Sequence, residues 1–350
     1  MEKNRNYGID LLRIVLIFMV CVLHTLGRGG VLSNSVEGTL KYNVYWLIEI
    51  FSYCAVDGFA IISGYTANNK PKKYEKIVDK WFQILFYSFV VTLIFTVIGI
   101  NDNFGIKEII KCLLPITFNK FWYMTAYFAL FFSMPILNKF VFEANENTLK
   151  KELIITFILF SIMGVLGDPF KSSAGYSAIW LMVLYYIGAI SKRIHLFESK
   201  KSVTLILMWL TCIFVTWIAY IFLGTSRLIN YISPTILLSG LIMVILFSRM
   251  KLKGNIISKV SSLTLGVYLF QLNQVIWNNI INGAFCFIVT KNIILGVLLV
   301  LLCAGIIFII GLIVEFIRNK LFKLFNVSLL SQKVVEYSKY LIEKSFFFLK

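Results

Sequence analysis

The sequence predicts an all-α, polytopic membrane protein with about ten transmembrane helices and both termini on the cytoplasmic side. Three observations lead there. The 350 residues are 59% hydrophobic and only 15% charged, whereas a soluble chain carries about a quarter charged residues. Ten apolar segments approach the ~20 residues that a helix needs to cross a bilayer. The basic residues fall between those segments in an alternation of rich and poor stretches, the pattern that orients membrane helices.

The segments lie at about 9–27, 44–66, 81–100, 121–141, 153–170, 177–191, 203–223, 230–248, 261–281 and 292–317. The first carries Asp10, Arg13 and His24 within otherwise apolar sequence. It has a basic start like a signal peptide, but Arg13 interrupts the apolar run and no small-residue cleavage site follows, so it reads as a retained helix. The second holds Glu49 near its start and Asp57 and Ser63 deeper in; the fourth opens on Trp122 and Tyr123. Only Gly167–Ser173 separates the fifth from the short sixth, the ninth contains Gln271, and the tenth holds Glu315. Residues 1–318 then form one membrane domain, and 319–350 a cytoplasmic tail whose Leu, Phe and Lys pattern suits an amphipathic surface helix. Phe104–Ile116 reads as a similar helix on the outer surface.

With the N-terminus placed inside, the inner stretches hold 25 Lys and Arg, the outer loops hold 8, and Arg13 lies within a span. An odd number of spans would scramble that division. The same bookkeeping disposes of nucleic acid as a partner. The net charge of +17 is spread along membrane-flanking loops, where it sets topology and contacts anionic lipid. Six cysteines without paired spacing read as small hydrophobes, and with His24 and His195 the only histidines no metal site is expected. The oligomeric state stays open.

Charged groups at membrane depth are costly and mark function. Eleven residues separate Arg13 from His24, about three helical turns, so both share one face roughly 16 Å apart. Asp10, three residues before Arg13, lies on the same face. An antiparallel second helix would bring Glu49 to the depth of His24 and Asp57 onto the path to Arg13. A carboxylate beside an imidazole raises its basicity, and such a histidine could take a proton from a hydroxyl. The basic loop Asn68–Lys76 is either a docking site for a phosphorylated ligand or ordinary topological retention.

Tyr7-Gly8-Ile9-Asp10-Leu11-Leu12-Arg13, with His24 after ten more residues, resembles the opening signature of the acyltransferase-3 family of integral membrane acyltransferases. Further pieces agree in order: Val56–Tyr65, Phe121–Met124 through Met134–Leu137, Tyr185–Ala189, and Ser261–Leu269. Two positions depart from the pattern. Gln271 stands where many members have histidine, which leaves His24 as the sole candidate base. Lys73 and Lys76 stand in place of an Arg-x-x-Arg pair, keeping charge but losing the bidentate fork.

The resemblance implies transfer of an acyl group, usually acetyl from acetyl-CoA, to a glycan hydroxyl at the cell membrane, with no tightly bound cofactor. It implies His24, Arg13 and Asp10 as the reacting end and its support, to which the depth of Glu49 on the second segment adds a fourth candidate. It places the donor along Arg13, Asp57, Ser63, Lys73 and Lys76, and the acceptor near Trp122, Tyr123 and Gln271. A capsular or other surface polysaccharide, or its lipid-linked precursor, is the expected acceptor, reached directly or through a partner protein. Two readings compete: a transporter or flippase of a lipid-linked sugar or acyl donor, and a membrane assembly subunit without chemistry.

Overall fold

The structure, a computed structural model, describes residues 5–102 and 104–347. Lys3 and Lys350, counted above with the inner basic residues, lie outside the described residues. No strand occurs among the described residues. In chain order the helices are α1 (Tyr7–Leu26), α2 (Leu40–Tyr53), α3 (Ala55–Tyr65), α4 (Glu75–Leu85), α5 (Thr92–Val97), α6 (Ile106–Leu113), α7 (Trp122–Glu143), α8 (Glu146–Phe157), α9 (Met163–Gly167), α10 (Ala178–Arg193), α11 (Ser202–Leu223), α12 (Pro234–Ser248), α13 (Asn255–Ser261), α14 (Thr264–Gln271), α15 (Ile293–Leu324) and α16 (Val327–Phe347).

Six helical stretches are long and apolar enough to cross a membrane: Tyr7–Leu26, Leu40–Tyr65, Glu75–Val97, Trp122–Glu143, Ser202–Leu223 and Ile293–Leu324. They coincide with six of the ten segments read from the sequence. The chain is an all-α polytopic membrane protein. The other four segments are helical but built differently. The fifth, from α8 through a π-turn to α9, starts with Glu146, Lys150, Lys151 and Glu152. The sixth and eighth, α10 and α12, are only 16 and 15 residues long.

The ninth segment departs most from a single rod. It divides into α13, α14 and a π-turn over Ile276–Ile281. Asn273 makes the second break. Its Oδ1 accepts from the backbone N–H of Val275 (3.0 Å) and its Nδ2 donates to Tyr87 O and Thr92 Oγ1 (2.8 and 2.9 Å). A side chain that satisfies its own backbone in this way competes with helix continuation.

The bundle is organised around α1, α3, α10 and α12, which bury most of their side chains. Close approach there depends on small residues. A Cβ on Gly64 would lie 1.8 Å from Tyr185 O, and one on Gly188 would lie 2.3 Å from Ile61 O. Helices in a bilayer gain their packing energy from such approaches. By contrast α11 and α15 turn Phe214, Ile218, Leu298, Leu302 and Ile309 outward, where lipid would cover them. Beyond α15 the chain turns at Asn326 (φ 48) into α16, and Ser331 Oγ of α16 donates to Asp79 in α4 at 2.5 Å.

Candidate active site

The first helix begins at Asn6, whose Oδ1 accepts from Ile9 N at 3.1 Å and whose Nδ2 donates to Ser248 O at 2.7 Å. That cap fixes where α1 starts and therefore which of its faces turns inward. The face carrying Arg13, Ile17, Val20 and His24, continued just past the helix end by Gly27 and Arg28, lines a cavity of about 800 Å³. The spacing of three or four residues is the helical repeat. Glu49, Tyr53, Val56, Phe59 and Ser63 line it from α2 and α3, and Ser261, Thr264, Leu265, Tyr268 and Leu272 from the α13–α14 segment. Trp122, Tyr123 and Tyr127 supply the wall from α7.

Two pairs of residues pin this cavity at its ends. At one end the buried Asp10 carboxylate accepts from Arg5 Nε (2.5 Å), Arg13 Nη1 (2.8 Å) and Ser261 Oγ (3.2 Å). At the other end His24 Nδ1 lies 3.0 Å from Gln271 Oε1. The α13–α14 segment therefore runs alongside α1, tied to it near both ends. The His24 ring also meets Trp277 edge to face, at 4.7 Å between centroids.

The two ends differ in charge. Arg5, Arg13 and Lys80 line the Asp10 end together with the hydroxyls of Ser261 and Ser262. Three cations against one carboxylate leave a net positive mouth with hydroxyl donors, a setting for phosphate oxygens. The His24 end holds Arg28, whose Nη2 donates to Asn278 Oδ1 at 2.8 Å and whose guanidinium lies 5.5 Å from the Trp277 ring centroid. It also holds Glu49 and an aromatic wall.

Of the residues singled out from sequence, His24, Arg13, Glu49, Ser63, Trp122 and Tyr123 line this one cavity. Asp10 and Gln271 stand behind it as hydrogen-bond partners of Arg13 and His24. His24 Nδ1 is paired with Gln271, and Glu49 lines the same cavity with its Oε2 finding no hydrogen-bond partner among the described residues. Asp57 is fully buried and accepts from Trp180 Nε1 at 3.0 Å, which ties α3 to α10. Lys76 lines a smaller cavity of about 400 Å³ with Lys80, Arg318 and Lys323, and Lys73 is exposed outside both cavities. Lys72 of the same loop lies against Met134 Sδ (3.1 Å). Burial first, and then the Lys76 charge, pushes its ammonium below its ordinary pKa.

A family model described as an acyltransferase domain matches residues 6–326. The chain belongs to the acyltransferase-3 family. No curated protein and no solved structure matches it. For this membrane acyltransferase, the Gln271 contact sets the chemistry open to His24. With Nδ1–H donated to an amide oxygen, the lone pair of the neutral ring sits on Nε2. A neutral imidazole in that tautomer can accept a proton from a hydroxyl. Among the described residues no three His, Cys, Asp or Glu side chains cluster as a metal site would require.

Sequence reasoning about this acyltransferase missed several cavity residues. Arg28 follows His24 by one turn and Tyr53 follows Glu49 by one turn, so helical spacing was a usable signal for both. Lys80 stands at the edge of the basic loop, where the sequence marks it only as a topology signal. Ser261 and Ser262 belong to the Ser261–Leu269 motif, which gives them no role of their own. Tyr176 and Tyr231 come from connections between helices, and nothing local marks them. Glu315, seen in the sequence as an intramembrane acid, is held by Gln83 Nε2 (2.9 Å), Tyr87 OH (2.8 Å) and Arg318. It joins α15 to α4 and lies outside the cavity lining.

Proposed function

We propose that this acyltransferase moves acetyl from acetyl-CoA to a hydroxyl of a surface or capsular polysaccharide, or of its lipid-linked precursor. The reading rests mainly on one observation: a single cavity has Arg5, Arg13, Lys80 and two serines at one end and His24 at the other. The two anchors on α1 are about 16 Å apart along the helix, a distance that a thin pantetheine arm can cover. The donor's phosphates suit the basic mouth, which we place on the cytoplasmic side with both termini. The acceptor then enters from the outer face of the plasma membrane.

In this reading His24 Nε2 takes the proton of the acceptor hydroxyl as its oxygen attacks the thioester carbonyl. The new ester C–O bond forms, the C–S bond breaks, and the proton passes from His24 to the departing thiolate. Gln271 holds the tautomer. Asp10 holds Arg13 toward the donor, and Trp122 and Tyr123 flank the acceptor. Ser63 lines the donor's route, Asp57 supports the α3 wall, and Lys73 and Lys76 add positive potential near the mouth.

The test incubates membranes containing the chain with acetyl-labelled acetyl-CoA and follows base-labile label in the glycan fraction. The expected result is label that depends on the chain and on acetyl-CoA. Glycan label equal to that of membranes lacking the chain would overturn the proposal. A transporter would give no thioester turnover.

A further inference from the structure

Beside His24's end of the cavity lies an aromatic surface assembled from four separate parts of the chain. Tyr231 is at its centre, with ring centroids 4.8 Å from Tyr53, 5.1 Å from Tyr176 and 6.3 Å from Trp122, the last nearly parallel at 24°. Trp122 and Tyr176 are themselves 4.7 Å apart. All four line the cavity. Rings this close pack on one another into one continuous stretch of the cavity wall. A cage for an ammonium group would instead surround an open space with each centroid within about 6 Å of the cation. The surface is therefore a platform, suited to the C–H face of a pyranose ring.

The second observation is Glu49, one helical turn before Tyr53. It lines the same cavity, is 8% exposed, and its Oε2 has no hydrogen-bond partner among the described residues. A buried acceptor without a donor is destabilising, and native structures leave few of them. A ligand hydroxyl would supply the missing donor. The loop that delivers Tyr176 is shaped for close approach. Asp168 accepts from Ser172 N and Ser173 N (2.7 and 2.8 Å), and a Cβ on Gly175 (φ 95) would lie 2.4 Å from Tyr231 Cβ.

We infer that Glu49 and the Tyr53–Tyr231–Tyr176–Trp122 platform form the subsite for the acceptor's sugar ring, with the ring stacked on the aromatics and a ring hydroxyl donating to Glu49. This rests on the acyl-transfer reading above and assigns Glu49 to acceptor recognition.

The natural acceptor becomes a usable probe without being identified. Mild base strips O-acyl esters from the surface glycan fraction of the producing cells, and this fraction is titrated against the detergent-purified, reconstituted full chain with labelled acetyl-CoA. For Glu49→Gln and Tyr176→Ala the expected result is a KM for the glycan raised roughly tenfold or more, as for a site whose polar partner is lost, with the KM for acetyl-CoA held as a control on folding. Tyr176→Phe should recover most of what Tyr176→Ala loses, because the ring face does the binding. A lost rate at unchanged glycan KM in Glu49→Gln would assign Glu49 to the chemistry and overturn the subsite. Wild-type KM values in both variants would overturn it as well. Absence of transfer by the wild-type chain itself would bring down the acyl-transfer reading, and the subsite with it.

Discussion

Replacing Gln271 with leucine isolates the contact that sets the tautomer of His24. Gln271 is fully buried and its Oε1 is 3.0 Å from Nδ1. Leucine is close to glutamine in volume, so the change removes the acceptor without opening a large void. A neutral hydrogen bond contributes about 1 kcal/mol net, and a buried N–H left unpaired costs about 1–3 kcal/mol. If that energy holds the ring in its competent tautomer, losing it lowers the competent fraction, and kcat, by about tenfold to a hundredfold. Gln271→His, which returns a ring nitrogen to the site, should recover part of the loss. The assay is steady-state transfer of labelled acetyl to the de-esterified glycan by the protein in nanodiscs, with KM for acetyl-CoA measured in parallel. A kcat within threefold of wild type, in a monodisperse Gln271→Leu protein, would show that His24 is oriented by something else.

The charge at the other end and the packing of the bundle give two more expectations. Asp10→Asn leaves Arg5 and Arg13 without their shared carboxylate. The acetyl-CoA KM should rise by roughly tenfold, in line with about 1.5 kcal/mol for a charge-assisted hydrogen bond, and should become more salt-sensitive; an unchanged KM across 50–500 mM salt would count against the basic mouth. Gly64→Ala forces a methyl to within 1.8 Å of Tyr185 O, and overpacking of this kind costs about 1–3 kcal/mol or more. Lower yield and a lowered Tm in detergent are expected, and a wild-type Tm would mean that α3 and α10 separate easily.

Much of this arrangement was written in local sequence. The polar face of α1 could be read because Arg13 and His24 are tied by helical period alone, and the six long apolar helices could be read from length and hydropathy. What could not be read depends on pairs distant in the chain. Gln271 is 247 residues from His24 and Ser261 is 251 from Asp10. In the sequence Gln271 is only the residue that stands where histidine is usual, and its bond to His24 is decided by the packing of α14 on α1. The ninth segment looked continuous because its apolar content is continuous. Asn273 interrupts it through bonds to Tyr87 and Thr92 on another helix, which no local pattern reports. The aromatic platform takes one ring from each of four segments, so no single segment shows it. Lys73 shows the converse. A basic loop signals net topology, and the structure leaves that lysine on the exterior while Lys80, four residues beyond Lys76, reaches the cavity.

The central claim is that His24 performs the proton transfer in a cavity whose other end holds the donor. The most direct measurement compares wild type with His24→Ala at saturating acetyl-CoA and glycan, alongside the affinity of each for CoA. The account predicts transfer lower by about a hundredfold to ten-thousandfold, the usual contribution of a positioned base, with CoA affinity retained at the Arg13 end. Transfer by His24→Ala within threefold of wild type would contradict it.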